Sequence, residues 1–423
     1  MGSSDSNKES QTQQYLIVAC ALTENSKDSI KDELIKSSKN ISSNVSVLDF
    51  DVPFSLKFGA FDDLVKLVDD LAKHDTGVEV VLRRVERLGL ELDPGMELRI
   101  IWQRSSYTIQ QYLRSFSWDH AKFPKERSMK ENLAALLQSV SKLDTDLRAK
   151  SAQFNEVKAS VQNSFGKSAT QSTSNSGNGA ESGTSNTNGN NLIVVSGTLN
   201  TKDLTDVITP ECIESGDIVD TEHIITVFVI VPKGNKENFL NSYESFDKYV
   251  VPKSAKFIKG ITDKDGNEIA RILIFKSSVE SFKTNCKNHK FIVRDDFKYS
   301  QEKYNHLMST RQKLLQEKDK QEKYLKRMCF AGFSEIFISW IHVKAMRCFV
   351  EAVLRYGVPP QFASFMISMD SNQSKLKKVQ NSVERVFTEM GRIGATFKSN
   401  EKDVDDDYTP YVFLQFSPYQ QSL

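Results

Sequence analysis

Between Phe333 and Pro359, apolar residues fall at three- and four-residue spacings: Phe333, Ile336, Phe337, Trp340, Ile341, Met346, Phe349, Val350, Val353 and Leu354. That period predicts a helix buried on most of its circumference, stopped by Gly357 and Pro359. The polar residues that interrupt it are Lys344, Arg347, Glu351 and Arg355. Arg347 and Glu351, then Glu351 and Arg355, are each four apart, the spacing at which neighbouring turns pair their charges. Such a stripe is either a solvated, salt-bridged face or a docking face for another protein. Periodicity does not choose between them.

The same reading extends along the chain. Gln14–Ala21 and Val45–Phe54 are strand-like. Phe61, Leu64, Val65, Val68 and Leu71 mark an amphipathic helix, and a second helix is expected from Val78 to about Leu88. From Met129 to Phe165, the positions Leu133, Leu136, Val140, Leu143, Leu147, Phe154, Val157 and Val161 form a heptad seam on one long helix, which needs a partner. Lys167–Asn191 is Ser, Thr, Asn and Gly with too few apolar groups to order itself, so it is expected to be a disordered insertion.

Beyond it, Asn191–Gly197 and Ile224–Val231 read as strands, the latter leading into a helix with Phe239, Leu240, Tyr243 and Phe246. Lys256–Ile261, Asp265-Gly266 and Ile269–Phe275 predict a hairpin with a type I′ turn. A helix at Val279–Asn288 and a strand at Phe291–Arg294 complete a compact block. A second long helix, Ser300–Met328, carries Tyr304, Leu307, Met308, Leu314, Leu315, Leu325 and Met328 on its seam. Two such helices flanking one block should run antiparallel and bury each other's seams. A helix at Lys375–Met390, an acidic turn at Asp403 and Asp405–Asp407, and a terminal strand at Thr409–Phe416, placed to pair with the N-terminal one, finish the chain.

The expected fold is therefore α+β, an elongated dumbbell. A disordered start (1–13) precedes a foot built from 14–128 and 329–423. An antiparallel two-helix neck (129–165 and 300–328) joins the foot to a globular head (191–299), with the insertion at 166–190.

Composition narrows the function. At 423 residues two or three domains are expected. Lys and Arg total 56 against 55 Asp and Glu, a formal charge of +1, which argues against a nucleic-acid surface spread over the molecule. Five scattered cysteines without a CxxC pair suit free thiols in a reducing compartment. Apolar runs are far short of a bilayer span and the start is polar, so a cytosolic protein without a secretory signal is expected. Met1–Ser6 fits the loose pattern for myristoylation on Gly2, a weak anchor by itself.

Candidate chemistry is thin. Asp119-His120, within FSWDHAKFP, has no nucleophile or metal partner at workable spacing, and packing of Phe116 and Trp118 explains the segment better. Asp263, Asp265 and Asn267 hint at a calcium loop, but Glu268 stands where glycine is required. Gly177, Gly179 and Gly183 lack the strand, helix and GKS/T ending of a phosphate loop, and HExxH and GxSxG do not occur. No cofactor is expected. His342 is expected to pack within its helix or pair with a neighbour; titrating near neutrality, it would sense cytosolic pH.

The run FSEIFISWIHVKAMRCFVEAVLRYGVP resembles the signature of the C subunit of the vacuolar-type proton-pumping ATPase (V-ATPase). Phe61–Asp75, Phe116–Pro124, Val250–Ala255, Lys290–Arg294 and Pro410–Val412 are similar to the same family's pattern, in the same order. The resemblance implies a foot, helical neck and head, and a non-enzymatic stalk connector. Its partners would be subunits E and G of two peripheral stalks and the cytosolic part of membrane subunit a. It would work on the cytosolic face of acidic compartments and take part in reversible assembly. The alternative is an independent coiled-coil scaffold or actin-binding protein. Candidate contacts are Lys344, Arg347, Glu351 and Arg355 in the foot and Lys233, Lys236, Lys253 and Lys256 in the head, because clustered charge steers association.

Overall fold

A computed structural model describes residues 13–22, 27–165, 193–195, 198–214, 216–391 and 411–418. The expected insertion, the acidic turn and the Gly2 site lie outside the described residues. The elements in order are β1 (Gln13–Ala21), α1 (Lys27–Lys39), β2 (Ser46–Asp49), α2 (Phe61–Leu92), β3 (Ile100–Trp102), β4 (Ser105–Tyr107), α3 (Ile109–Arg114) and α4 (Met129–Phe165). Then come β5 (Ile193–Val195), β6 (Ile224–Val231), α5 (Lys236–Ser242), β7 (Lys256–Asp263), β8 (Glu268–Phe275), α6 (Val279–Asn288) and β9 (Ile292–Arg294). The chain closes with α7 (Gln301–Tyr356), β10 (Phe362–Asp370), α8 (Gln373–Glu389) and β11 (Val412–Phe416). The mixture of helix and sheet is the expected α+β class.

Two compact units partition the chain: residues 1–154 with 320–423, and residues 155–319. In the first, an antiparallel sheet has the order β11-β1-β10-β2, with Tyr15 opposite Phe416 and Val18 opposite Phe365. The terminal strand thus pairs with the N-terminal one, as expected. Both sheet faces are covered. Tyr15, Ile17 and Ala19 pack with α2 and α7, whereas Leu16, Val18 and Cys20 pack with α1 and α8. Burial on both sides explains why β1 and β10 read as nearly unbroken apolar runs. β10 is the central strand that the periodicity reading passed over.

Three local expectations are corrected. The helices expected at Phe61–Leu71 and Val78–Leu88 are one helix, α2, which continues through the polar turn around Asp75. Those expected at Ser300–Met328 and from Phe333 are likewise one 56-residue helix, α7, because a shift from charged to apolar composition leaves backbone hydrogen bonding intact. Its end agrees with the sequence: Gly357 has φ +86° and its N–H reaches Val353 O at 2.9 Å. Along α4, the seam positions Leu133, Leu136, Val140, Leu147, Phe154 and Val161 are buried, and Leu143 and Val157 are half-buried.

In the second unit, a five-stranded sheet has the order β5-β7-β8-β6-β9. The β7–β8 connection is not a type I′ turn, which requires positive φ at both central residues. Only Gly266 is left-handed, at +77°, and its N–H bonds Asp263 O at 3.0 Å, the pattern of a type I turn followed by a glycine bulge. The Asp263 carboxylate organises that turn, accepting N–H groups from Leu199 (3.1 Å), Asp265 (3.0 Å) and Asn267 (2.8 Å). Burial would raise its pKa, but these donors outweigh burial and hold it below the usual carboxylate range.

Candidate functional site

The foot stripe divides once side chains are placed. Lys344 is only 3% exposed, and its Nζ lies 2.9 and 3.1 Å from the Asp75 carboxylate oxygens of α2. The same ammonium sits 4.4 Å from the Trp340 ring centroid and 5.0 Å from that of Phe416. Burial pulls the Lys344 pKa down, and the Asp75 charge opposes that shift. Its charge is therefore internal, which corrects the expectation of a solvated or docking position there.

Arg347 Nη1 also reaches Asp75, at 2.7 Å, and its Nη2 lies 3.5 Å from Glu351. Arg355 meets the other Glu351 oxygen at 3.3 Å. These i, i+4 pairs are those the spacing indicated. Burial raises the Glu351 pKa, against the pull of Arg355 and Arg347. Arg347 and Arg355 remain partly exposed at the end of the ladder.

Asp75 was missed by the sequence reading, although a signal existed. Leu71, Asp75, Val78, Leu82 and Val85 follow three- and four-residue steps, so the acid stands in the buried row of α2. Arg83, also missed, donates to Pro418 O at 3.1 Å and to Ser417 O, and lies over the Trp340 ring at 5.5 Å. It fastens the residues after β11 to the helical wall.

His342 is fully buried among Trp102, Phe116, Trp118 and Phe123, whose ring centroids lie 4.8–6.3 Å away. Its Nδ1 bonds Ile338 O at 2.7 Å, so Nδ1 carries the proton and Nε2 accepts the Asp119 backbone N–H at 3.1 Å. Burial depresses its pKa to about 4 despite the Ile338 carbonyl and the Asp119 charge. His342 thus packs within its helix and pairs with neighbours, as expected, and its depressed pKa leaves the condition for sensing cytosolic pH unmet.

Phe116 and Trp118 are core, with Trp118 Nε1 donating to Phe123 O at 2.8 Å. His120 points outward, and the Asp119 carboxylate caps the N–H groups of Ala121 and Lys122 at 3.0 Å each. The segment is a structural clasp around His342. Beside it, Trp102, Gln103, Asp119, Lys122, Glu335 and Ile338 line an open groove of about 380 Å³.

In the second unit, Lys233, Lys236 and Lys253 are exposed. Lys236 lies 4.5 Å from the Phe257 ring centroid and 3.6 Å from Glu268. Lys256 is tied down by Glu214 at 2.6 Å and Asp217 at 3.0 Å, and these carboxylates raise its pKa. Asp217 also holds Arg271 at 2.6 Å, so Lys256 belongs to a local network that ties Glu214 and Asp217 to the sheet. Among the described residues, no group of three His, Cys, Asp or Glu side chains could hold a metal ion, and no helix is long and apolar enough to cross a membrane. All five cysteines are free and four are buried, with burial pushing Cys329 up to about 11 and Cys286 to about 12.

Comparison with known proteins adds lineage to this geometry. A family model for the V-ATPase C subunit matches residues 15–412. The C 1 subunit of the V-type proton ATPase of Rattus norvegicus is 29% identical over 374 residues, covering 86% of this chain and 88% of the relative. That of Xenopus laevis is 29% identical over 384 residues, covering 89% and 90%. The C 1-A subunit of the V-type proton ATPase of Danio rerio is 29% identical over 375 residues, covering 86% and 88%.

Proposed function

Because the chain belongs to the V-ATPase C-subunit family, we propose that it is a non-catalytic connector of the V-type proton ATPase, bridging E–G peripheral stalks and the cytosolic part of membrane subunit a. The carrying observation is the family match over residues 15–412, which runs through both compact units. In this reading the second unit meets one stalk through Lys233, Lys236, Lys253 and Lys256. The first meets another stalk and subunit a through Arg347, Glu351 and Arg355, while Lys344 stiffens that wall from inside. The dumbbell, with α4 and α7 as an antiparallel neck, belongs to the same proposal. A stiff neck would carry load against rotor torque. Interfaces at the small end of the usual range would let the sectors separate and rejoin at the cytosolic face of acidic compartments.

Co-purification of the whole chain with a recombinant E–G heterodimer tests this. Retention of E–G is expected, with further retention of the cytosolic part of subunit a. Failure to hold E–G, with co-sedimentation on actin filaments, would replace the connector with the independent-scaffold reading.

A further inference from the structure

The open groove beside the clasp is built from three parts of the first unit, two of them fastened to the third, α7. Ile101 of β3 is tied to that helix through both its N–H, which donates to Ser334 Oγ at 2.7 Å, and its carbonyl, which accepts from the same hydroxyl at 3.4 Å. The Asp119 N–H donates to His342 Nε2 at 3.1 Å, which ties the clasp to α7 further along. Glu335 and Ile338 lie between those two anchors and line the groove from the helix itself. Gln103 joins the lining from a turn in which it and Arg104 take φ of +46° and +66°, the left-handed pair of a type I′ hairpin. Walls bonded to one helix are formed before any ligand arrives, and about 380 Å³ is the size of a small-molecule site.

The lining combines apolar surface with unequal charge. Ile101, a large apolar side chain left 45% exposed, shares it with Ala121, Ile338 and the half-buried ring of Trp102. The charged members are two carboxylates, Asp119 and Glu335, and one ammonium, Lys122, which leaves one negative charge in excess. Lys122 pairs with Glu335, and both are partly exposed. Asp119 uses Oδ1 on the N–H groups of Ala121 and Lys122, while its Oδ2 has no hydrogen bond among the described residues. Burial lowers the Lys122 pKa, against the Asp119 charge, so this ammonium is poorly solvated where it stands. An anion entering here would face two carboxylates and find the single ammonium already taken. A cation would bring the lining to balance and meet an indole, the ring that attracts cations best.

We propose that this groove is a binding site for a small organic cation, an ammonium or guanidinium carried on an apolar body. The apolar body lies on Ile101, Trp102 and Ile338, and the cation meets Glu335 and the open oxygen of Asp119. Lys122 is then the ligand's competitor for Glu335, so its charge weakens the site instead of building it. The proposal is independent of the connector reading, because every residue in it belongs to the first unit and no partner chain takes part.

The test titrates the whole chain at neutral pH with phenethylamine, its neutral analogue phenethyl alcohol and the anion phenylpropionate, followed by calorimetry and tryptophan fluorescence. Trp102 is half-buried whereas Trp118 and Trp340 are core, so a change in fluorescence reports the groove. The amine is expected to saturate the wild type with a dissociation constant on the order of 1 mM. The alcohol should bind about tenfold more weakly and the anion not at all. Glu335→Gln is expected to weaken the amine about tenfold, and Lys122→Gln to tighten it about threefold by releasing Glu335. Circular dichroism checks that both variants are folded, and the three probes on the wild type decide the matter by themselves if one is not. Preference for phenylpropionate, with Lys122→Gln weakening it, would make this an anion site and overturn the proposal. Equal affinity for amine and alcohol would reduce the groove to unspecific apolar surface and overturn it too, as would an amine titration that never saturates.

Discussion

Lys344 and His342 stand two positions apart on the most buried stretch of α7, and the fold deals with their polarity differently. The lysine keeps its charge close to a carboxylate, whereas burial among aromatic rings holds the histidine neutral, against the pull of the Ile338 carbonyl. Removing Asp75 would leave Lys344 buried without its counter-charge, an arrangement that costs about 3–5 kcal/mol. Asp75→Ala is therefore expected to lower the stability of the first unit by that amount, and Asp75→Leu with Lys344→Met to recover most of it. Tryptophan fluorescence during urea unfolding reads this selectively, because Trp102, Trp118 and Trp340 all lie in the first unit. For His342 the folded pKa, about 4, lies below the ordinary value of 6.5, so the unfolded chain takes up the proton first. Its contribution is complete above about pH 6.5, falls as pH drops, and is gone near pH 4, a total of about 3 kcal/mol. Between pH 7 and pH 5 the wild type should lose about 2 kcal/mol more than His342→Gln, which offers an acceptor that does not titrate. Equal losses would show that His342 is not held neutral.

Sequence patterns exposed the elements unevenly, for reasons visible in their packing. β1, β6, α4 and α6 are found where period and composition placed them, because each has an unbroken apolar row and clear ends. β10 escaped: burial on both faces hides the alternation of a strand, and Ser364 and Ser368 dilute its apolar run. Those serines are satisfied across the sheet, Ser364 Oγ donating to Phe50 O at 2.8 Å and Ser368 Oγ meeting Ser46 Oγ at 2.5 Å. α7 looked like two helices because its charged and apolar stretches differ in composition, not in backbone. The Arg347–Glu351–Arg355 ladder was legible because its spacing is local. The burial of Lys344 was not, since its partner Asp75 is 269 residues away in sequence.

Both chain ends build the first unit, and the second is contributed by the middle of the sequence, with both crossings inside long helices. The chain therefore passes from one unit to the other through continuous helix rather than loop. In the proposed role the chain completes a proton pump without performing its chemistry. Membrane vesicles stripped of their own C subunit and resupplied with the purified chain test it most directly, with ATP-driven acidification as the readout. The expected result is acidification restored in proportion to the chain added, while the chain alone hydrolyses no ATP. Acidification that stays at the stripped level, with the chain left in the supernatant, would contradict it.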